Sequence, residues 1–330
     1  MSKSAAASSR STTTLTVALG IAWGIVALLF FLLFSSPGAG GEQPGWFLLG
    51  ITILETGAFA AASALCFRNW RSSQIVSGRN VWFWIGMGLL SYTLGNLLFF
   101  LWGNIWGLDP AVSLGDFFYI LSYIFLAAGM LKAVLPRRLN LEPSQWLIVA
   151  GIGLGGIIIA YFVNYQVVAD PVAQGDALGQ PTALVQLVQN PATPPAPAAA
   201  PAPEAPAAPE EPNNAPGWVQ QLDERLVPFE TAVGLLYVIG DCILLVIAAT
   251  LLVAFWGGRF SQSWKLIAIA AFCLYIADMF FAFSVNAGNY QEGSLWEVFW
   301  TFSAIFFGLG AVVEYAISTQ SRRGARRRRA

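Results

Sequence analysis

The chain has 330 residues, of which 56% are hydrophobic and 11% charged, with a formal net charge of −1. An ordinary soluble domain is roughly a quarter charged, so a soluble globular protein is excluded. The chain holds no histidine, which removes the common general base, Ser/His/Asp and Cys/His nucleophiles, His-ligated haem and zinc, and a histidine-kinase phosphoacceptor. A non-enzymatic role is expected.

In chain order, apolar stretches predict transmembrane helices at about 14–34, 45–67, 81–103, 115–135, 145–163, 232–256, 264–286 and 294–317. About 20 such residues cross roughly 30 Å of hydrocarbon. The expected fold class is therefore an all-α polytopic integral membrane protein with about eight spans. The first span reads as an uncleaved signal anchor, because its apolar stretch is longer than the 7 to 15 residues of a signal-peptide core. Residues 1–13 form a tail before it. In the fifth span, Gly151 and Gly155 read as a GxxxG-type packing surface and not as a phosphate loop. The lysines Lys3, Lys132 and Lys265 fall near span ends, which argues against a retinal Schiff base. Cys66, Cys242 and Cys273 lie in separate spans with no CxxC pair and read as small packing residues, so no metal site is expected. No feature identifies a cofactor. Trp46, Trp70, Trp82, Trp106, Trp146, Trp256 and Trp264 near span ends read as interfacial anchors.

Positive charge sets the orientation. Of the 17 basic residues, all but Arg225 fall on one side of this eight-span arrangement. Both termini are thus expected to be cytoplasmic in a bacterial plasma membrane. The tail 318–330 carries Arg322, Arg323 and Arg326 to Arg329, a topology lock with anionic lipid headgroups as an expected partner; nucleic acid is a weak alternative. On the opposite side, residues 164–231 form a long loop. Ten of the chain's 18 prolines lie between Pro191 and Pro216, so a largely disordered, extended arm is expected there. Flanking pieces at 182–188 and 218–227 have helical apolar spacing and are expected to lie along the membrane surface.

The fourth and eighth spans carry an internal repeat. At an offset of 181, Ser113, Leu114, Asp116, Phe118, Ser122, Ile124, Phe125 and Gly129 fall opposite Ser294, Leu295, Glu297, Phe299, Ser303, Ile305, Phe306 and Gly310. This predicts two parallel four-helix repeats: residues 14–163 contain the first, and the fifth span, 145–163, joins 232–317 in the second. Ser113/Asp116 and Ser294/Glu297 form [ST]-x-x-[DE] capping boxes at the helix starts; part of an exterior ligand site is the sharper alternative for these acids.

Four acids lie within spans: Glu55, Asp241, Asp278 and Glu314. A charged side chain is costly against lipid, so these are expected to face the bundle interior or water. Glu55 and Asp241 share a depth in the second span of each half, while Asn96 and Asp278 do so in the third, one turn beyond Tyr92 and Tyr275. Glu55, Asn96, Asp241 and Asp278 are therefore the candidate ligand, ion or proton site, with helix fastening as the plain alternative. Glu314, nearer the basic side, is expected to pair with Lys132 or the arginine tail.

The stretches SLGDFFYILSYIFLAAGMLKAVL (113–135), IADMFFAF and GSLWEVFWTFSAIFFGLGAVVEY (both within 276–315) resemble the multi-span N-terminal sensor regions of bacterial signalling proteins that precede diguanylate cyclase or phosphodiesterase domains. The resemblance covers roughly 45–135 and 232–317. It implies an input module. Here 13 residues and no output domain follow the last predicted span, so a separate cytoplasmic partner is expected to receive the signal. The functional expectation is a sensor-like or accessory membrane subunit. A small transporter or channel, or a structural subunit of a larger complex, is the alternative.

Overall fold

The computed structural model describes residues 2–36, 43–108, 112–135, 141–165, 214–255 and 261–327, with side chains described from Thr12 onward except at 165, 261 and 320–327. The expected Pro-rich arm and the piece at 182–188 lie outside the described residues. Without water to satisfy backbone groups, apolar segments of this length close their own hydrogen bonds as helices. The described elements are α1 (Ser2–Phe34), α2 (Gly45–Arg71), α3 (Arg79–Phe100), α4 (Leu114–Val134), α5 (Pro143–Tyr165), α6 (Gly217–Leu226), α7 (Glu230–Ala254), α8 (Ser261–Asn286) and α9 (Val298–Arg327). Eight stretches among them are long and apolar enough to cross a membrane. The protein is an all-α, multi-pass membrane protein.

Local chemistry fixes the helix ends. Ser113 caps α4: its Oγ accepts from the Gly115 backbone N–H at 3.1 Å, and Asp116 Oδ2 accepts from the Ser113 N–H at 2.7 Å. At the corresponding place before α9, the Glu297 carboxyl accepts from the backbone N–H groups of Gly293 at 2.9 Å and Ser294 at 3.3 Å. Each carboxylate also faces the positive end of its helix dipole. At the other end of the bundle, Arg79 Nε donates to the Trp70 carbonyl in the last turn of α2 at 2.6 Å, serving an otherwise orphaned helix-terminal acceptor. Beyond α3 the chain winds through a wide π turn (Leu101–Ile105) and leaves it at Gly107, whose φ of +67° favours glycine.

The helix pairings come in matched sets. α2 packs on α3 and α7 on α8; α3 packs on α4 and α8 on α9; across the middle, α2 meets α9 and α4 meets α7. The two outer helices differ, α1 resting on α9 and α5 on α7 and α8. Glycines set the closest approaches: a Cβ at Gly129 would stand 2.9 Å from the Ile85 backbone N, and one at Gly310 would stand 2.7 Å from Ile267 Cδ1 and 3.2 Å from the Ser263 carbonyl O. Trp82 and Trp264 are fully buried in the central core and stack on one another at 5.9 Å.

Two sequence expectations are corrected. Trp82 and Trp264 are core residues and not interfacial anchors, because Trp82 tucks under the α2–α3 connection and donates to Ser77 Oγ at 2.9 Å. Gly151 and Gly155 face open space; the glycines that contact α7 are Gly153, against Val246, and Gly156, against Leu245. Glu314 Oε1 accepts from the Ser77 N–H in the α2–α3 connection at 3.3 Å and from the Ser318 hydroxyl at 3.2 Å, and the arginine-tail side chains expected to pair with it lie outside the described residues. The 218–227 piece is helical, as its apolar spacing predicts, and forms α6. Its Val219 is buried beside Trp102, and Trp102 Nε1 donates to Asp223 Oδ1 at 2.9 Å.

Candidate functional site

Glu55, Asn96, Asp241 and Asp278 lie eight to eleven residues from the helix ends opposite the basic side. At 1.5 Å per residue this is about 15 Å deep, near the middle of a bilayer. All four face the interior side of their helices. Asn96 and Asp241 are buried, whereas Glu55 and Asp278 are half-buried.

The first half supplies a linear chain. Tyr119 on α4 donates to Asn96 Oδ1 on α3 at 2.8 Å, and Asn96 Nδ2 donates to Glu55 Oε1 on α2 at 2.8 Å. The second half repeats the motif with different chemistry. Trp300 on α9, 181 positions after Tyr119, donates through Nε1 to Asp278 Oδ1 on α8 at 2.7 Å. Tyr123 on α4 then crosses between the halves: its hydroxyl oxygen lies 2.7 Å from Asp241 Oδ1 on α7 and 2.7 Å from Asp278 Oδ2. Gly240 makes room for this crossing, since a Cβ there would meet the Tyr123 ring at 2.7 Å. Asp278 is also within Coulombic reach of Glu55, so the two chains share one interior. Tyr92 lies between them, stacked on Phe59 at 3.9 Å and edge-on to Tyr119 at 4.9 Å.

A rim of carboxyls stands nearer the helix ends. Tyr237 on α7 donates to Asp116 Oδ1 on α4 at 2.6 Å, a second bridge between the same two helices that Tyr123 joins. Asp116 thus caps α4 and links the halves at once. On the connection before α9, burial and the adjacent Glu297 carboxyl hold the Tyr290 phenol well above its ordinary value.

The sequence pointed to the carboxyls and the amide but not to Tyr119, Tyr123, Tyr237 and Trp300, which connect them. The Tyr119/Trp300 pairing was available in the 181-residue offset, although aromatic residues in membrane spans are so common that an isolated tyrosine carries little signal. Tyr275, which the sequence set beside Asp278, donates its hydroxyl to the Gly156 carbonyl on α5 at 2.6 Å and not to Asp278. Among the described residues no group of three or more His, Cys, Asp or Glu could hold a metal ion. Comparison with protein families, curated proteins and solved structures finds no match.

Chemically, the arrangement offers three half-buried or buried carboxyls whose hydrogen-bond partners are neutral: an amide, a phenol and an indole. Such groups can hold and exchange a proton, or share one with a small ligand, while the bridges at Tyr123 and Tyr237 make the α4–α7 contact sensitive to what they hold.

Proposed function

We propose that this chain is a non-enzymatic bacterial inner-membrane input module, built of two parallel four-helix repeats, that binds a small ligand, ion or proton at Glu55, Asn96, Asp241 and Asp278 and reports its occupancy to a cytoplasmic partner. The observation that carries this reading is the pair of bridges between the halves, Tyr123 to Asp241 and Tyr237 to Asp116. Any change in occupancy of the carboxyls alters the bonds that hold α4 to α7, which is the differential contact a two-state response requires. The matched helix pairings, the equivalent Tyr119–Asn96 and Trp300–Asp278 bonds, and the stacking of Trp82 on Trp264 support the repeat, since equivalent residues meet each other only beside a pseudo-two-fold axis. The resemblance to bacterial sensor regions is in keeping with it.

The excess of lysine and arginine on one side favours cytoplasmic termini. The arginines of the C-terminal tail then lie where anionic headgroups and an acidic face of a partner are both available. Native co-purification from membranes tests the reading: a cytoplasmic partner whose retention changes in Asp241→Asn supports it, and recovery of the protein alone under every condition contradicts it. A secondary transporter is the second reading, favoured by the position of the acids at the interface of the two halves, where transporter sites lie. Proton- or cation-driven flux in proteoliposomes selects that reading over the first.

A further inference from the structure

We infer that the Tyr123 bridge is a binding site for one proton, held between Asp241 and Asp278 and serving as a latch between α4 and α7. This deepens the proposed site by naming its ligand.

The inference follows from counting hydrogens. A phenol has one O–H hydrogen, and an ionised carboxylate only accepts. The Tyr123 oxygen nevertheless lies 2.7 Å from a carboxyl oxygen of Asp241 and 2.7 Å from one of Asp278. Both contacts are short O–H···O distances, and one hydroxyl hydrogen serves only one of them well. The other needs a second hydrogen, which can come only from a carboxyl. Asp278 has a donor for each oxygen, Trp300 Nε1 for Oδ1 and the Tyr123 hydroxyl for Oδ2, so it is the ionised member. Asp241 carries the proton on Oδ1 and donates it to the Tyr123 oxygen.

A second observation agrees. Asp241 is 1% exposed, its Oδ2 receives no N–H or O–H donor, and its carboxyl stands within hydrogen-bonding reach of the Asp278 carboxyl. A carboxylate in that position would be a buried charge with one oxygen unserved, whereas a neutral acid leaves only a carbonyl-like oxygen unpaired, a much smaller cost. The groups that face Asp241 are Tyr123 from α4, Asp278 and Tyr275 from α8, and Cys242 on its own helix; α5 meets α7 with Gly153 and Gly156. Among the described residues none of these is a cation that would balance two negative charges.

The proton enters as a solvated ion and adds to the Asp241 carboxylate with no other bond made or broken. Its departure leaves two carboxylates facing one hydroxyl hydrogen, and α4 loses its hold on either α7 or α8.

The test is infrared difference spectroscopy on the full chain in lipid nanodiscs at neutral pH. Subtracting the spectrum of Asp241→Asn from that of the wild type is expected to leave one protonated-carboxyl C=O band that shifts in D2O. Asp241→Asn keeps an N–H donor for Tyr123 and is expected to fold, while Tyr123→Phe is expected to shift or remove the same band. Absence of a carboxylic band in the Asp241→Asn difference overturns the inference, as does a band there that Tyr123→Phe leaves unmoved. If the band is absent but partner retention still depends on Asp241, the input-module reading stands with a different ion as ligand. If the band is present and no partner or flux responds, the proton site stands and that reading falls.

Discussion

Replacing Tyr123 with phenylalanine keeps the ring against Gly240 and deletes the one oxygen that joins α4 to both α7 and α8. Two contacts of 2.7 Å disappear, and buried Asp241 Oδ1 loses the phenol that serves it. Leaving a buried polar group unserved costs about 1–3 kcal/mol. Hydrogen bonds between membrane helices average nearer 0.6 kcal/mol, because the unfolded helices also find partners. With one fully buried group orphaned and a second bond lost at half-buried Asp278, the sum is about 2–4 kcal/mol. Tyr237→Phe is the internal comparison. It removes one bond at the rim, where Asp116 keeps its contacts with Ser113 and water can replace the phenol, so its cost is below about 1 kcal/mol. Reversible unfolding of the full chain in bicelles, followed by steric trapping, measures both. A Tyr123→Phe variant no less stable than Tyr237→Phe would refute the reasoning.

Four further outcomes follow from the packing and the bound proton. Gly129→Ala and Gly310→Ala are expected to lose about 1–3 kcal/mol in the same unfolding assay through overpacking, since the added carbon at each meets a partner closer than 3.0 Å. Gly151→Ala and Gly155→Ala, on an open face, are expected to be neutral or to gain up to about 1 kcal/mol from helix propensity. Trp102→Phe removes the bond to Asp223 and is expected to raise hydrogen exchange in residues 217–226 severalfold while leaving α2 and α9 unchanged. Where the folded chain holds the Asp241 proton and the unfolded chain has released it, stability falls as pH rises, by about 1.4 kcal/mol per pH unit, because the native state then binds one more proton. Asp241→Asn is expected to remove that slope, and an unchanged slope in the variant would place the proton elsewhere.

Hydropathy disclosed the spans because a bilayer imposes helix length and backbone satisfaction on any sequence that crosses it. The depth of Glu55, Asn96, Asp241 and Asp278 was legible for the same reason: intramembrane polar groups must face inward, and residues at one depth on neighbouring helices meet. Which face each helix presents was much less legible. The spacing of Gly151 and Gly155 fits a packing stripe, yet α5 turns Gly153 and Gly156 to α7, a rotation decided by the shapes of Val246 and Leu245 on the partner helix. Trp82 and Trp264 sit near helix ends as anchors do, but a connection folds over Trp82 and each ring finds the other, which only tertiary packing could reveal. Tyr123 was hidden among the aromatic residues of α4 because its importance comes from the two acids it meets, one 118 and the other 155 positions away.

The most direct test of the account is the α4–α7 separation as a function of pH, measured by pulsed electron paramagnetic resonance between spin labels placed on lipid-facing positions of the two helices in nanodiscs. The account predicts that the distance distribution of the wild type broadens or lengthens as the proton leaves at alkaline pH, and that Asp241→Asn holds the neutral-pH distance throughout. A wild-type separation that stays constant across the pH range in which the Asp241 infrared band disappears would contradict it.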